Sequence, residues 1–332
     1  MGRAPTQEFN KELNENYQEG TLTCLKSPVI KKRINPEFPL VLNIEPTNDC
    51  NLRCYYCPRL KSKKPVGYIS LKLAKKIIDE AADYPKLIML NFHKDGEPLL
   101  HPKIGAMIKY AHKKKIAEVI HMNTNAACLD DKMIKKLLDS GIDDITFSID
   151  AYRQDTFKKT KGRDLLPLVV SNLKRFIELR DKGRYRKPFL RAKIIEFDDT
   201  ADEVNDFYNF WDGLADEVQV TGIHSWSGAI KNLRVTDPVS KKRFPCILLW
   251  YALVINWTGD VSICSVDWNT SSLVGNVNTT AINQIWKGDI LRQARRDELC
   301  GRHDAFDVCK KCINWVGGED LTGYLKTRTE FL

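Results

Sequence analysis

The chain of 332 residues carries 52 Lys and Arg against 43 Asp and Glu, a formal charge of +9, and 43% of it is hydrophobic, enough for a large core and more than one folding unit. No run of about 18 apolar residues is present to span a bilayer, and the polar opening MGRAPTQEFNKEL lacks the apolar stretch of a secretory signal, so a cytoplasmic protein without a membrane partner is expected. The basic residues are scattered over KSKK, HKKK and KGRYRK, which read as solvated helix faces and loops, so nucleic acid is not an expected partner.

Taken from the amino end, residues 1–39 show no strong period and read as an extension packed on the unit that follows. From PLVLNIEP onward, β-type and helical segments alternate. LVLNIE, KLIMLNF, EVIHMN, DITFSID, FLRAKIIEF and EVQVTG are short, branched and apolar, the pattern of buried parallel strands. Between them SLKLAKKIIDEAADY, PKIGAMIKYAHKKK, DDKMIKKLLDSG, LVVSNLKRFIELRDKG and ADEVNDFYNFWDGL are each long enough for a crossover helix. Six strands with a helix after nearly every one predict an α/β fold over residues 40–238: a parallel sheet, doubly wound or curled into a partial barrel, with function at the carboxyl ends of its strands.

After residue 238 the rhythm changes. YALVINWTGDVSIC reads as a β-hairpin turning at Thr258-Gly259-Asp260, and AINQIWKGDILRQARRDEL as one helix. Residues 239–332 are expected to form a second, smaller unit that needs metal to hold it.

In a reducing compartment ten cysteines are not a disulfide framework, and their clusters point to metal or redox chemistry. Cys50, Cys54 and Cys57 fall in the loop after the first strand, on the functional rim. Three thiolates can hold three irons of a cubane cluster and leave the fourth open; zinc completed by a distant His, or simple clustering of thiols, are the alternatives on chemistry alone. Cys246 and Cys264 enclose the hairpin, and Cys309 and Cys312 form a late CxxC, four soft ligands that suit zinc as well as an iron–sulfur cluster. Cys24 and Cys128 stand alone. A zinc-binding nucleic-acid adaptor is the competing class of function, and it predicts colourless protein with salt-sensitive binding.

The spacing Cys-x3-Cys-x2-Cys in CNLRCYYC, with an aromatic before the last cysteine, resembles the radical S-adenosylmethionine (SAM) superfamily. The resemblance implies a partial (β/α)6 TIM-like barrel and a [4Fe-4S] cluster on Cys50, Cys54 and Cys57, with SAM chelating the open iron. Reductive cleavage of SAM then yields a 5′-deoxyadenosyl radical that takes a hydrogen atom from the substrate, the electron coming from an external donor such as flavodoxin or ferredoxin. DGEP matches the family's Gly-Gly-Glu region with Asp95 at the usual first glycine, so Gly96 and Glu97 are expected at the SAM amino group. Tyr56 stands where the family makes a backbone contact to adenine. Asn123 or Asn125, with Ser148 and Asp150, are the expected ribose or carboxylate contacts. Arg191 is chosen over Glu196 for the SAM carboxylate, because alternation puts the two on opposite faces of their strand.

Cys-x12-Gly-x4-Cys followed by CxxC resembles the SPASM auxiliary-cluster domain or its shorter twitch form, and implies one auxiliary [4Fe-4S] cluster on Cys246, Cys264, Cys309 and Cys312. Cys300 is left over as a core or surface thiol, or as a hydrogen-atom donor to a substrate radical, a role for which Cys128 competes. His224 and Trp226 in GIHSWSG are expected at the rim, in contact with substrate. The related reactions are dehydrogenation or epimerisation of a sugar or cyclitol, and maturation of a ribosomally made peptide or protein. A sugar or cyclitol substrate is the favoured expectation.

Overall fold

The computed structural model describes residues 25–223, 225–230, 242–313, 315 and 319–332. Six parallel strands form in the expected segments: β1 (Val41–Ile44), β2 (Leu87–Asn91), β3 (Ala117–Thr124), β4 (Asp144–Ser148), β5 (Phe189–Glu196) and β6 (Glu217–Gly222). Helices Leu71–Ala82, Ile104–Lys114, Asp131–Leu138, Leu166–Lys182 and Val204–Trp211 alternate with them. A further helix, Gln154–Lys161, lies in a segment that sequence periodicity leaves as a loop.

The carboxyl-terminal hairpin is not a sheet of its own. Its first strand β7 (Ala252–Ile255) pairs in parallel with β1, and β8 (Asp260–Ser262) and β9 (Leu273–Asn276) continue antiparallel, giving one nine-stranded, mostly parallel sheet in the order β6-β5-β4-β3-β2-β1-β7-β8-β9. The hairpin turns at Gly259, whose φ of 92° is open to glycine at little cost. The segment expected as one helix is two, Ile282–Trp286 and Asp289–Leu299, because Gly288 leaves helical geometry and caps the second. Arg295 ties this unit down: its guanidinium is buried against the Trp286 ring at 4.4 Å and donates to the carbonyls of Leu249 and Trp286 at 3.0 and 3.1 Å.

The strands are not uniformly apolar. Leu42, Ile44, Leu90, Phe92, Ile145, Phe147, Leu190 and Ala192 join the hydrophobic core with the helices, whereas the alternate face carries polar residues, among them Asn43, Asn91, His121, Asn123, Asp144 and Arg191. These polar side chains bond across neighbouring strands in an unbroken ladder. Glu217 accepts from Arg191 at 2.8 Å, Arg191 pairs with Asp144, Asp144 with His121 at 2.5 Å, His121 bonds Asn123 at 2.8 Å, and Asn123 meets His93 at 3.2 Å. Asn91 donates to Asn43 at 2.7 Å on the same face.

Asp144 is fully buried, and burial opposes its charge, but Arg191 and then His121 outweigh that and hold its carboxyl below the ordinary value of 3.8. Arg191→Met leaves this carboxylate short of its main partner and is expected to lower stability by about 3–5 kcal/mol, read as a fall in the urea midpoint at neutral pH. With a depressed folded-state pKa, the pair's contribution is full above the unfolded carboxylate pKa and is lost as pH falls through the folded one. The acid limb of the stability curve is therefore expected to flatten in the variant, checked by urea titrations at descending pH.

Candidate active site and metal centres

The first cysteine loop leaves the carboxyl end of β1 and is fastened to the returning chain. Thr47 Oγ1 donates to the Gly67 carbonyl at 2.7 Å, Asn48 Nδ2 to that of Pro65 at 2.8 Å, and the Gly67 N–H to Asn48 Oδ1 at 2.9 Å. Within the loop the Cys57 N–H closes a turn onto the Cys54 carbonyl at 3.0 Å. All three thiols are free and half-buried. Burial pushes Cys50 up to about 11 and Cys57 to about 12 and raises Cys54 as well; Cys50 and Cys57 are further disfavoured as thiolates by their neighbours in the set, and Cys54 by Asp150. Three such groups side by side are stable as thiolates only with a positive centre between them, so the donor set fits a cluster held by three thiolates.

The DGEP turn abuts this loop. A Cβ on Gly96 would lie 2.3 Å from the Thr47 carbonyl oxygen and 2.4 Å from that of Asp49, so only glycine fits. The Glu97 N–H donates to the Asp49 carbonyl at 2.7 Å. The Glu97 side chain differs from expectation: buried, it accepts from Leu99 N–H at 3.0 Å, Thr124 Oγ1 at 2.7 Å and Asn125 N–H at 2.8 Å. It is a strut between the ends of β2 and β3 rather than a free acceptor for an amino group.

The structure gives two other expected residues different partners. Arg191 sits third in β5 and pairs with Asp144 of β4 and Glu217 of β6, so its guanidinium is already neutralised by two carboxylates of the protein. Asn123 is held within the ladder between His121 and His93, while Asn125 is the one that reaches the loop, donating to Asn51 Oδ1 at 2.8 Å.

Asp150, at φ 57°, accepts from the Tyr56 hydroxyl at 3.1 Å and pairs with Lys161 at 2.6 Å, both contacts buried. Lys161 also donates to the Ser148 carbonyl at 3.1 Å. Burial opposes both charges, yet each sustains the other, leaving Asp150 below and Lys161 above its ordinary value. The Tyr56 ring packs against Phe197 at 5.5 Å, and Trp226 leans on the same small apolar cluster. His224 lies outside the described residues.

Lys161 and Lys193 escape the sequence reading. Lys161 hides in the charged run KKTKG, and only its position four residues after buried Phe157, on the same helix face, marks it. Lys193 is two residues after Arg191 and so shares its face; burial pulls it below the usual lysine value, and no described residue bonds its ammonium.

The second set of cysteines surrounds a space. Cys246, Cys264, Cys309 and Cys312 line a small cavity of about 30 Å³ walled by Leu249, Val266 and Trp315. Burial pushes Cys264 and Cys309 up to about 12 and raises Cys246 well above its ordinary value. Glu298 supports Cys246 from behind, accepting its N–H at 3.0 Å and meeting His303 Nδ1 at 2.8 Å. Four free thiols around one cavity are a donor set that fits an iron–sulfur cluster.

Cys128 accepts from Asn51 Nδ2 at 3.3 Å, beside the first cysteine loop. Cys300 is exposed at the end of the helix Asp289–Leu299, its N–H on the Arg296 and Asp297 carbonyls, a surface thiol rather than a shielded hydrogen-atom donor.

Residues 44–183 match the radical SAM superfamily, and residues 246–313 the iron–sulfur cluster-binding domain SPASM. The tungsten-containing aldehyde ferredoxin oxidoreductase cofactor-modifying protein of Pyrococcus furiosus is 30% identical over 46% of this chain, and the match spans 43% of that relative's length. The S-adenosyl-L-methionine-dependent 2-deoxy-scyllo-inosamine dehydrogenase of Niallia circulans is 23% identical over 82% of this chain and 92% of its own. Among solved structures, BtrN in complex with AdoMet and 2-DOIA has a similar fold (TM-score 0.57, 20% identity, 83% of this chain and 93% of that one), as does Streptococcus suis SuiB bound to precursor peptide SuiA (0.63, 16%, 92% and 76%). These domains imply a SAM-binding [4Fe-4S] cluster and an auxiliary iron–sulfur cluster, which sets aside the zinc adaptor. Anaerobic reconstitution is expected to give about eight irons per chain, falling to about four when Cys50, Cys54 and Cys57 are all replaced by alanine. With its two matched segments and the cysteine centre that each contains, the chain belongs to the radical SAM superfamily and has a carboxyl-terminal SPASM domain.

Proposed function

We propose that the protein oxidises a secondary alcohol of a sugar- or cyclitol-like substrate to the ketone. The observation that carries this reading is the adjacency of the two centres: the first cysteine loop follows β1, and the hairpin between Cys246 and Cys264 begins with β7, which pairs with β1. A substrate held at that edge of the sheet has a hydrogen-atom acceptor on one side and an electron acceptor on the other. With cluster and SAM bound, the first centre supplies the 5′-deoxyadenosyl radical.

The chain's own residues supply the binding surface. The polar face of the barrel leaves His93 Nδ1 and Asp150 Oδ1 buried without a partner among the described residues, with Lys193 beside them. Burial, then His121 and Lys193, hold His93 down to about 3, so it meets substrate as a neutral ring able to donate or accept. Such groups suit the several hydroxyls of a sugar or cyclitol ring. The balance of the reaction is one hydrogen atom lost from carbon to deoxyadenosyl, one proton lost from the hydroxyl to a protein base, and one electron passed to the carboxyl-terminal cluster. The electron that starts the cycle comes from an external donor of the flavodoxin or ferredoxin kind.

The similarity over 92% of a 2-deoxy-scyllo-inosamine dehydrogenase supports a cyclitol substrate for this chain. Epimerisation is the second reading, favoured by the Cys128 thiol beside the first loop, 3.3 Å from Asn51 Nδ2. Peptide maturation has support from the fold likeness to SuiB.

Anaerobic turnover of 2-deoxy-scyllo-inosamine in D2O separates these. Dehydrogenation is expected to yield one 5′-deoxyadenosine per product lighter by two hydrogens. A product of unchanged composition that has gained carbon-bound deuterium, abolished by Cys128→Ala, overturns dehydrogenation in favour of epimerisation.

A further inference from the structure

Between the two cysteine centres the chain buries a group of charges that substrate binding and cluster ligation leave unexplained. Lys94 and Asp95 follow β2, with side chains 1% and 4% exposed and 2.5 Å apart. Lys94 Nζ also donates to the Asp267 carbonyl at 3.1 Å. Asp267 stands three residues beyond Cys264, and its N–H bonds the Cys264 carbonyl at 3.2 Å. The Asp267 carboxylate accepts from Ser271 and Ser272 at 2.6–2.9 Å, so its direct bond to Lys94 is through the carbonyl, while its charge adds to those that hold Lys94 protonated. On the other side, Gly96 and Glu97 press on the Asp49 backbone next to Cys50. Four consecutive residues, Lys94-Asp95-Gly96-Glu97, thus touch both cysteine loops.

Glu45, fully buried at the end of β1, faces the same group, with one carboxylate oxygen unpartnered and the other on the Trp257 N–H at 3.2 Å. Lys64 bridges Asp95 at 2.9 Å and Thr270 Oγ1 at 3.0 Å. Removing each such ion from water costs several kcal/mol, and apolar side chains would fill the space more cheaply. Lys94 nonetheless keeps its charge: burial opposes it, but Asp95 and Glu45 more than compensate. At the Cys264 thiol the charge of Asp267 opposes the thiolate and that of Lys94 favours it, so Lys94 is the positive member of the group that acts on this ligand.

We propose that Lys94 is a fixed positive charge that raises the reduction potential of the carboxyl-terminal cluster, making it the electron acceptor in substrate oxidation. Reduction makes a cluster more negative, and a nearby ammonium in a poorly solvated space stabilises that reduced form. The substrate radical loses its hydroxyl proton to a protein base and one electron to this cluster, which is reduced by one. This assignment rests on the dehydrogenation reading above.

The test is potentiometric titration followed by electron paramagnetic resonance, without substrate, on the reconstituted full chain and on the Cys50/Cys54/Cys57 triple alanine variant, which isolates the carboxyl-terminal cluster. Lys94→Met is expected to move the midpoint of that cluster to more negative potential while iron content holds, and Lys94→Arg, which keeps the charge, to stay near wild type. An unmoved midpoint in Lys94→Met overturns the proposal, as does a shift in Lys94→Arg equal to that in Lys94→Met, which would mark a packing effect. Loss of the cluster in Lys94→Met transfers the decision to Lys94→Arg and Asp95→Asn. There an unchanged midpoint with Arg and a positive shift with Asn support the proposal, and any other pair overturns it. Failure of dehydrogenation itself is read separately, from product mass.

Discussion

The parallel pairing of β1 with β7 is the constraint on which the rest depends. Backbone bonds from Val41–Ile44 to Ala252–Ile255 join segments some two hundred residues apart into one sheet. They bring the loop holding Cys50, Cys54 and Cys57 alongside the hairpin flanked by Cys246 and Cys264. The CxxC at Cys309 and Cys312 then closes on the hairpin to line a common cavity. Without that pairing the two sets of thiols would belong to separate modules.

The second constraint is the polar face of the same sheet. A parallel sheet covered on both sides is normally apolar throughout, yet here Arg191, Asp144, His121, Asn123 and His93 run as a ladder behind the site. Each member satisfies its neighbour, so the cost of burying polar groups is largely offset in the lower half of the sheet. Among the described residues the pairing is incomplete at Asn91 Oδ1, His93 Nδ1, Thr146 Oγ1, Asp150 Oδ1 and Glu45 Oε1. Buried polar atoms without a protein partner are ones that a polar ligand or water can satisfy.

The two lysines nearest the cysteine loops show why local pattern misleads. KKTKG looks like a solvated charge run, but the helix Gln154–Lys161 turns Lys161 inward with Phe157 and buries it on Asp150. Lys94 has no local signal, since its environment is made by Asp267 and Glu45, remote in sequence. Arg191 has partners that are equally invisible locally: Asp144 and Glu217 come from the two neighbouring strands, and only the assembled sheet sets them beside its guanidinium. Cys300 likewise looked available because it was spare, and its position at an exposed helix end could be read only from the break at Gly288 and the direction of the helix that follows.

Alone, the sequence determined what is local or periodic. The spacing of CNLRCYYC and of the late cysteines, the glycine in DGEP and the alternation of strand with helix follow from short stretches whose chemistry neighbouring residues fix. Those stretches sufficed for the six parallel strands, the superfamily and both cysteine centres. Tertiary structure decided what depends on strand register and long-range approach: a single sheet instead of two, the burial of Lys94, Lys161 and Lys193, the engagement of Glu97 as a strut and the pairing of Arg191 with Asp144 and Glu217. The physical reason is that the energy of a buried charge is set by the partners and solvent around it, and those are supplied by segments that meet only when the sheet is assembled.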